Sequence, residues 1–325
     1  MQSIEVYVMA VAGAPSFSAM KILCTHGWLM SNLGDQWMTD IVLKVLVARG
    51  HSVAVSSRGY PNGWACEGVE RLQVCTESLD VAARRHLFSE YDKIVNLPGG
   101  GLQGKDHRSV AILKDIEICS SLGIPYALAG HSIYSQIPAA TLRKVSLILA
   151  REPCTAAWLR SQQVDHLETV DAAWSQEIGA STRSERTVIM LRWDGEFTSG
   201  NVSLSGSDLK IGSHTFGPFH SIIVSTSDSI RDEALGVKLA RQLSASWEPC
   251  RTIDELKMII SGAAHLITDR YHPAIVAKVT GTPLSFIGSR SVRNQGLREL
   301  MGKSIEELRD SSCAGLSALG AWSSK

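Results

Sequence analysis

Short runs rich in Val, Ile and Leu alternate with longer runs of helical length from Met20 to about Val170, and nothing else in the chain constrains the fold as strongly. The short runs are Lys21 to His26, Ser52 to Ser57, Lys93 to Leu97, Pro125 to Ala129, Leu147 to Ala150 and a brief stretch near Leu167. Between them Asp35 to Ala48, Val81 to Glu90, Ser109 to Leu122, Pro138 to Lys144 and Thr155 to Gln162 carry helical patterns. Strands that alternate with helices pair in parallel, because each crossover returns the chain to the same edge, and such a sheet is covered on both faces. After a Ser-, Gly- and Thr-rich stretch, Ser175 to Glu185, the alternation resumes. Strands are expected at Thr187 to Trp193, Ser221 to Ser225, His265 to Thr268 and Leu284 to Ile287, with helices at Arg231 to Leu243, Ile253 to Ser261 and Pro273 to Val279. The polar part from Gly195 to Phe219 has room for a small hairpin around Asp208 to Ser213. The pattern predicts an α/β protein of two doubly wound parallel-sheet, Rossmann-like domains facing a cleft, residues 20–174 and 187–325, joined by a linker at 175–186.

Composition agrees and removes several function classes. The 325 residues, 44% of them hydrophobic, can fill two cores. Lys plus Arg and Asp plus Glu balance at 32 each, so no global field draws the chain to nucleic acid, and any anion site must be local. Seven scattered cysteines without a Cys-x-x-Cys pair read as reduced thiols of a cytoplasmic protein, with no metal site and no disulfide framework. No run approaches the roughly 20 apolar residues needed to span a bilayer, so the chain is expected not to be integral to the membrane, leaving a peripheral association open. Residues 1–19 are mildly apolar and end in small residues, but Glu5 interrupts them and no basic residue precedes it; they are read as an N-terminal extension outside the fold.

Several segments carry chemistry, and most stand at an expected strand end. Thr268-Asp269-Arg270-Tyr271-His272-Pro273 joins an apolar strand to an apolar helix, where free N–H groups and the positive helix end favour an anion. Arg270 adds a fixed cationic fork and His272 a group that exchanges a proton near neutral pH. Asn32-Leu33-Gly34-Asp35 follows the first strand: Asn32 suits a helix cap, and Gly34 is a poor helix former unless something must approach the backbone closely. Gly99-Gly100-Gly101 ends another strand without the lysine of a P-loop or the spacing of a dinucleotide fingerprint. Gly130-His131-Ser132 and the loop with His107 add two histidines that either meet a ligand or merely satisfy a loop. Arg151-Glu152 ends the run Leu147 to Ala150; read alone, it is an ordinary surface ion pair. Arg192, Asp194, Arg290 and Arg293 could line a cleft but read more simply as loop charges, and Trp174 and Trp193 read as core.

This ordered set, with Asp171-Ala172-Ala173-Trp174 and Gly281-Thr282-Pro283, resembles the polysaccharide pyruvyl transferase family over roughly residues 20 to 300. His131 departs from the pattern, since a Gln usually stands between that Gly and Ser. The resemblance implies a GT-B-like arrangement and an enzyme that moves the pyruvyl group of phosphoenolpyruvate onto a saccharide, forming a cyclic ketal and releasing phosphate. It implies no cofactor, phosphoenolpyruvate as co-substrate, and a saccharide acceptor on a lipid or nucleotide carrier. The catalytic residues would be His272 and Asp35. Arg151, Arg270, Gly99, Gly100 and Gly101 would bind the donor, and Asn32, His107 and His131 the acceptor. A glycosyltransferase using a sugar nucleotide and a non-catalytic saccharide-binding module on the same scaffold are the competing readings.

Overall fold

The computed structural model describes residues 19–325 apart from 28, 30–31, 62, 180, 194–201, 206–207, 218, 227–229 and 288–291. The expected N-terminal extension, Asp194 and Arg290 lie outside the described residues. The first sheet contains β1 (Lys21–Gly27), β2 (Ser52–Ser57), β3 (Val69–Arg71), β4 (Lys93–Asn96), β5 (Gly101–Leu102), β6 (Tyr126–Ile133), β7 (Leu147–Ala150) and β8 (Leu167–Glu168). All its pairings are parallel, in the order β3-β2-β1-β4-β6-β7-β8 with β5 on β6. Its helices are α1 (Leu33–Ala48), α2 (Val81–Ser89), α3 (His107–Leu122), α4 (Ala139–Leu142) and α5 (Pro153–Ser161).

The second half opens with β9 (Arg186–Met190) and a small antiparallel meander, β10 (Val202–Ser205), β11 (Asp208–Ile211) and β12 (His214–Phe216). It continues through β13 (Ser221–Thr226), α6 (Ile230–Leu243), β14 (Ser246–Pro249), α7 (Ile253–Ser261), β15 (His265–Thr268), α8 (Tyr271–Thr280), β16 (Leu284–Phe286), α9 (Val292–Met301) and α10 (Ile305–Ser323). The sheet order β14-β13-β9-β15-β16, parallel throughout, repeats the logic of the first sheet. In both, strand order reverses beside the first strand, between β1 and β4 and between β9 and β15. Ligands bind outside the carboxyl ends of strands at such reversals.

One apolar cluster ties the halves together. Leu33, Trp37 and Ile41 of α1 share it with Trp174, Val188, Leu266, Tyr271 and Ile275, so the start of α1 is docked against the start of α8. Trp174 is fully buried there, as expected for a core residue. The last helix is less local than the sequence suggested. The expectation assigned residues 187–325 to one domain, but α10 returns to the first sheet: Leu319 joins that sheet's core, the His51 ring meets Ser323 Oγ at 2.9 Å, and Trp322 Nε1 donates to Ser146 Oγ at 3.1 Å. Ser304 and Glu307 start it with a reciprocal capping box.

Candidate active site

The carboxyl ends of the two central strand pairs open onto a cleft of about 650 Å3. Among the described residues its first wall carries Asn32, Gly34, Asp35, Arg58, Gly100, Gly101, Asp106, His107 and Arg108, and its second Arg192, Trp193, Arg231, Asp232, Arg270, Tyr271, His272 and Arg293. Six arginines thus face three aspartates, although the chain as a whole is balanced. Burial and the neighbouring Arg192 and Arg151 hold the Arg293 guanidinium below its ordinary pKa, with only partial relief from Asp35. Crowded like charges of this kind are relieved by an anion.

Asn32 caps α1: its side-chain oxygen accepts from Gly34 N at 3.1 Å and Asp35 N at 3.4 Å, while its Nδ2 donates to Asp35 Oδ2 at 3.0 Å. One residue therefore starts the helix and aims the carboxylate. Gly34 is explained from the opposite half of the molecule, because a β-carbon placed there would stand 1.8 Å from His272 Nδ1. The glycine lets the imidazole lie against the α1 backbone. On its other side His272 Nε2 is 3.6 Å from Asp171 Oδ2, a carboxylate with no solvent exposure whose other oxygen accepts from Ala173 N at 2.9 Å. Burial pushes the Asp171 acid up, but His272 and Arg151 more than offset this and hold it below the usual carboxylate range. A buried carboxylate facing an imidazole orients the ring.

Arg270 reaches the cleft from the strand-to-helix turn, its Nε donating to Leu191 O at 3.1 Å and one terminal nitrogen 2.5 Å from Asp232 Oδ2. Asp269 beside it is 1% exposed, accepts from Arg192 N at 3.0 Å, and is pushed up to about 6 by burial, which Arg270 and Arg192 only partly counter.

Not every expected residue arrives. Asn32, Asp35, Gly100, Gly101, His107, Arg270 and His272 line the cleft; Gly99, His131 and Arg151 do not. Arg151 is 1% exposed and held by Glu152 at 2.8 Å, by Asp171 at 3.3 Å and over the Tyr271 ring at 5.0 Å, so its charge braces the floor of the site. His131 is fully buried, and burial together with Arg108, Arg151 and His26 drives it well below its ordinary pKa, so it stands neutral behind the cleft. Gly99 has φ 155°, and a β-carbon on it would come within 2.8 Å of Arg108; the glycine run makes room for a guanidinium. Arg108 was missed in the sequence, where it is one more charge in a polar loop. Gly99 and Gly100 were its trace. Arg293, read as a loop charge, and Trp193, read as core but 42% exposed, also line the cleft.

Among solved structures the chain is similar to UDP-GlcNAc 2-epimerase from Neisseria meningitidis bound to UDP-GlcNAc, at 9% identity and TM-score 0.59 over 92% of this chain and 99% of that one. It is also similar to a putative UDP-N-acetylglucosamine 2-epimerase from Listeria monocytogenes, at 10% identity and TM-score 0.55 over 95% and 91%. The S. aureus MnaA–UDP structure aligns at 8% identity and TM-score 0.55 over 94% and 91%. At such identities the likeness establishes the fold, which is the expected GT-B-like pair of Rossmann-like domains. No curated protein matches the chain in sequence. The family model for polysaccharide pyruvyl transferase matches residues 32–291, which hold the lining of the cleft apart from Arg293. The chain belongs to the polysaccharide pyruvyl transferase family.

Proposed function

We propose that this transferase moves the pyruvyl group of phosphoenolpyruvate onto two hydroxyls of a saccharide, giving a cyclic ketal and inorganic phosphate. The observation that carries the reading is the crowding of Arg293, Arg192, Arg270 and Arg108 around the cleft of a charge-balanced chain, all but Arg293 within the match to this family. Phosphoenolpyruvate presents a carboxylate and a phosphate on three carbons, so cations from several directions suit it better than a single helix end. Arg270 and Arg293 meet it from the second half and Arg108 from the first. Arg151, expected in that role, supports the arrangement from below.

The methylene carbon takes a proton, an acceptor hydroxyl attacks the neighbouring carbon and gives up its own proton, and the carbon–oxygen bond to phosphate breaks. A second hydroxyl then attacks the resulting oxocarbenium centre, loses its proton and closes the ring. His272, oriented by Asp171, is the acid that delivers the proton to carbon, and Asp35 receives the hydroxyl proton. The arginines stabilise the departing phosphate. The acceptor hydroxyls approach along the first wall, where Asn32 and His107 stand at the mouth. No helix among the described residues is long and apolar enough to cross a membrane, so a lipid-linked acceptor would be met at the surface. No cofactor enters this scheme, and we place the reaction in the cytoplasm, where phosphoenolpyruvate is made. Incubating the protein with phosphoenolpyruvate and a saccharide panel should release phosphate and add a pyruvyl mass to the sugar. Turnover of UDP-sugars with phosphoenolpyruvate left intact would instead identify a sugar-nucleotide enzyme.

A further inference from the structure

One buried histidine, outside the roles assigned above, stands behind the first wall. His26, next to last in the buried strand β1, has φ 57°, a left-handed conformation that strains a non-glycine residue. Its ring has no solvent exposure and lies between two carboxylates, Nδ1 at 2.9 Å from Glu77 Oε1 and Nε2 at 2.6 Å from Asp115 Oδ2. A neutral imidazole has a single N–H, so only the imidazolium can donate to both acids. Arg84 Nη1 completes the far side of Asp115 at 2.7 Å. Two buried, charge-assisted bonds hold the ring in place against the backbone strain.

The strained backbone has a product. It turns the His26 carbonyl toward Arg108, whose Nη2 donates to it at 3.2 Å, while the guanidinium rests in the space left by Gly99 and Gly100. The same ring also holds Glu77, and Glu77 in turn receives Arg58 Nε at 2.6 Å, with Arg58 Nη2 at 3.1 Å from the ring of His107. Arg108, Arg58 and His107 line the first wall. Each of them traces back to His26.

We infer that His26 is a positioning residue for anion recognition, its clamped imidazolium fixing the carbonyl that aims Arg108 into the cleft. This rests on the reading of the cleft as an anion site, not on the identity of the donor. The test is a double-mutant cycle read by calorimetry with two probes, phosphoenolpyruvate and inorganic phosphate. His26→Asn keeps a residue that tolerates the left-handed backbone and removes the bridge between the two acids. It should lower affinity for either probe by about 10-fold, Arg108→Ala should lower it by more, and the double variant should match Arg108→Ala alone, the non-additivity of residues acting through one group. A residue that merely stabilises the fold would give losses that add. Additive losses, or a folded His26→Asn protein that binds as the wild type does, would overturn the inference. If His26→Asn does not fold, Glu77→Gln replaces it in the cycle, with a smaller loss that again vanishes in the Arg108→Ala background; an unchanged or additive Glu77→Gln effect overturns the inference equally. Wild-type protein that binds phosphate but not phosphoenolpyruvate would end the donor assignment and leave the cycle to be judged with phosphate. Protein that binds neither would end both.

Discussion

The two walls of the cleft come from sheets with the same strand logic, yet they are charged and braced differently. The first presents Arg58, Arg108 and His107 against Asp35 and Asp106; the second presents Arg192, Arg231, Arg270 and Arg293 against Asp232. Behind the first wall, buried acids are matched to cations. Glu77 is held down to about 2, because His26 and Arg58 outweigh the burial that would raise it. Behind the second, Asp269 is left largely to desolvation and sits near 6. A wall with balanced charge suits a polyhydroxyl ligand whose hydroxyls must each lose a proton, and a wall with surplus cations suits a dianion. On the proposed reaction, acceptor chemistry falls to the first wall and most of the donor grip to the second, with Arg108 reaching across.

The sharpest way to break this division is at the residue where the walls touch. His272→Gln keeps a hydrogen-bonding side chain, so donor affinity should persist while turnover falls by on the order of 10²-fold or more, the scale of general acid–base catalysis. A variant that still releases phosphate at the wild-type rate would remove His272 from the mechanism.

Gly34→Ala should produce a loss of similar order by a different route. Alanine is the better helix former by about 1 kcal/mol, so local propensity predicts a more stable α1. The β-carbon, however, falls within the His272 ring, and the imidazole must move. Turnover should drop about 10²-fold with phosphoenolpyruvate binding largely kept, since misplacing a reacting group by an ångström carries that penalty. Unchanged turnover would show that the close approach of the halves is not needed for reaction.

Arg270→Ala against Arg58→Ala measures the division itself. Losing charged hydrogen bonds of about 1.5–3 kcal/mol should weaken phosphoenolpyruvate binding roughly 10- to 100-fold at Arg270, with Arg270→Lys recovering little because an ammonium does not reproduce a planar fork. Arg58, 42% exposed by its side chain and anchored on Glu77, should matter only a few-fold for the same ligand. Equal losses at both positions, seen by calorimetry, would dissolve the contrast between the walls.

The smallest effect is on stability and has opposite sign on the two sides. Asp269 binds its proton more tightly in the folded chain than its ordinary value of 3.8 allows, so between that value and about 6 the folded state holds a proton the unfolded state has released, and stability falls as pH rises through this window. Asp269→Asn, which can still accept from Arg192 N, should flatten that decline and stabilise the protein at pH 7 by on the order of 1 kcal/mol. Glu77 works the other way. Its contribution is present above the ordinary carboxylate range and is lost as pH falls toward about 2, so Glu77→Gln should weaken the protein at neutral pH and reduce its sensitivity to acid. Melting curves across pH for both variants would show whether the slopes have these signs.

What could be read from the sequence was whatever is local. Strand–helix alternation placed nearly every element of both sheets, because periodicity and caps act within a few residues; the runs at Ser52–Ser57, Leu147–Ala150, Ile253–Ser261 and His265–Thr268 hold to the residue. The β14 edge strand, which ends on Pro249, and the Ser- and Gly-rich α10 escaped this reading because their local pattern is weak and packing supplies what propensity does not. Motifs at strand ends likewise marked Asp35, Arg270 and His272, since parallel topology brings every such end to one side of a sheet. Only the tertiary structure decided which charges look into the cleft. Arg151 and Arg108 are alike as sequence, one after a strand and one in a loop, but the first is enclosed by Glu152, Asp171 and Tyr271 while the second is turned outward by His26, Gly99 and Gly100. The reason Gly34 is a glycine also lay beyond its own helix, in an imidazole more than 200 residues away, because close approach between two halves is set by how their sheets dock and leaves no periodic mark in the chain.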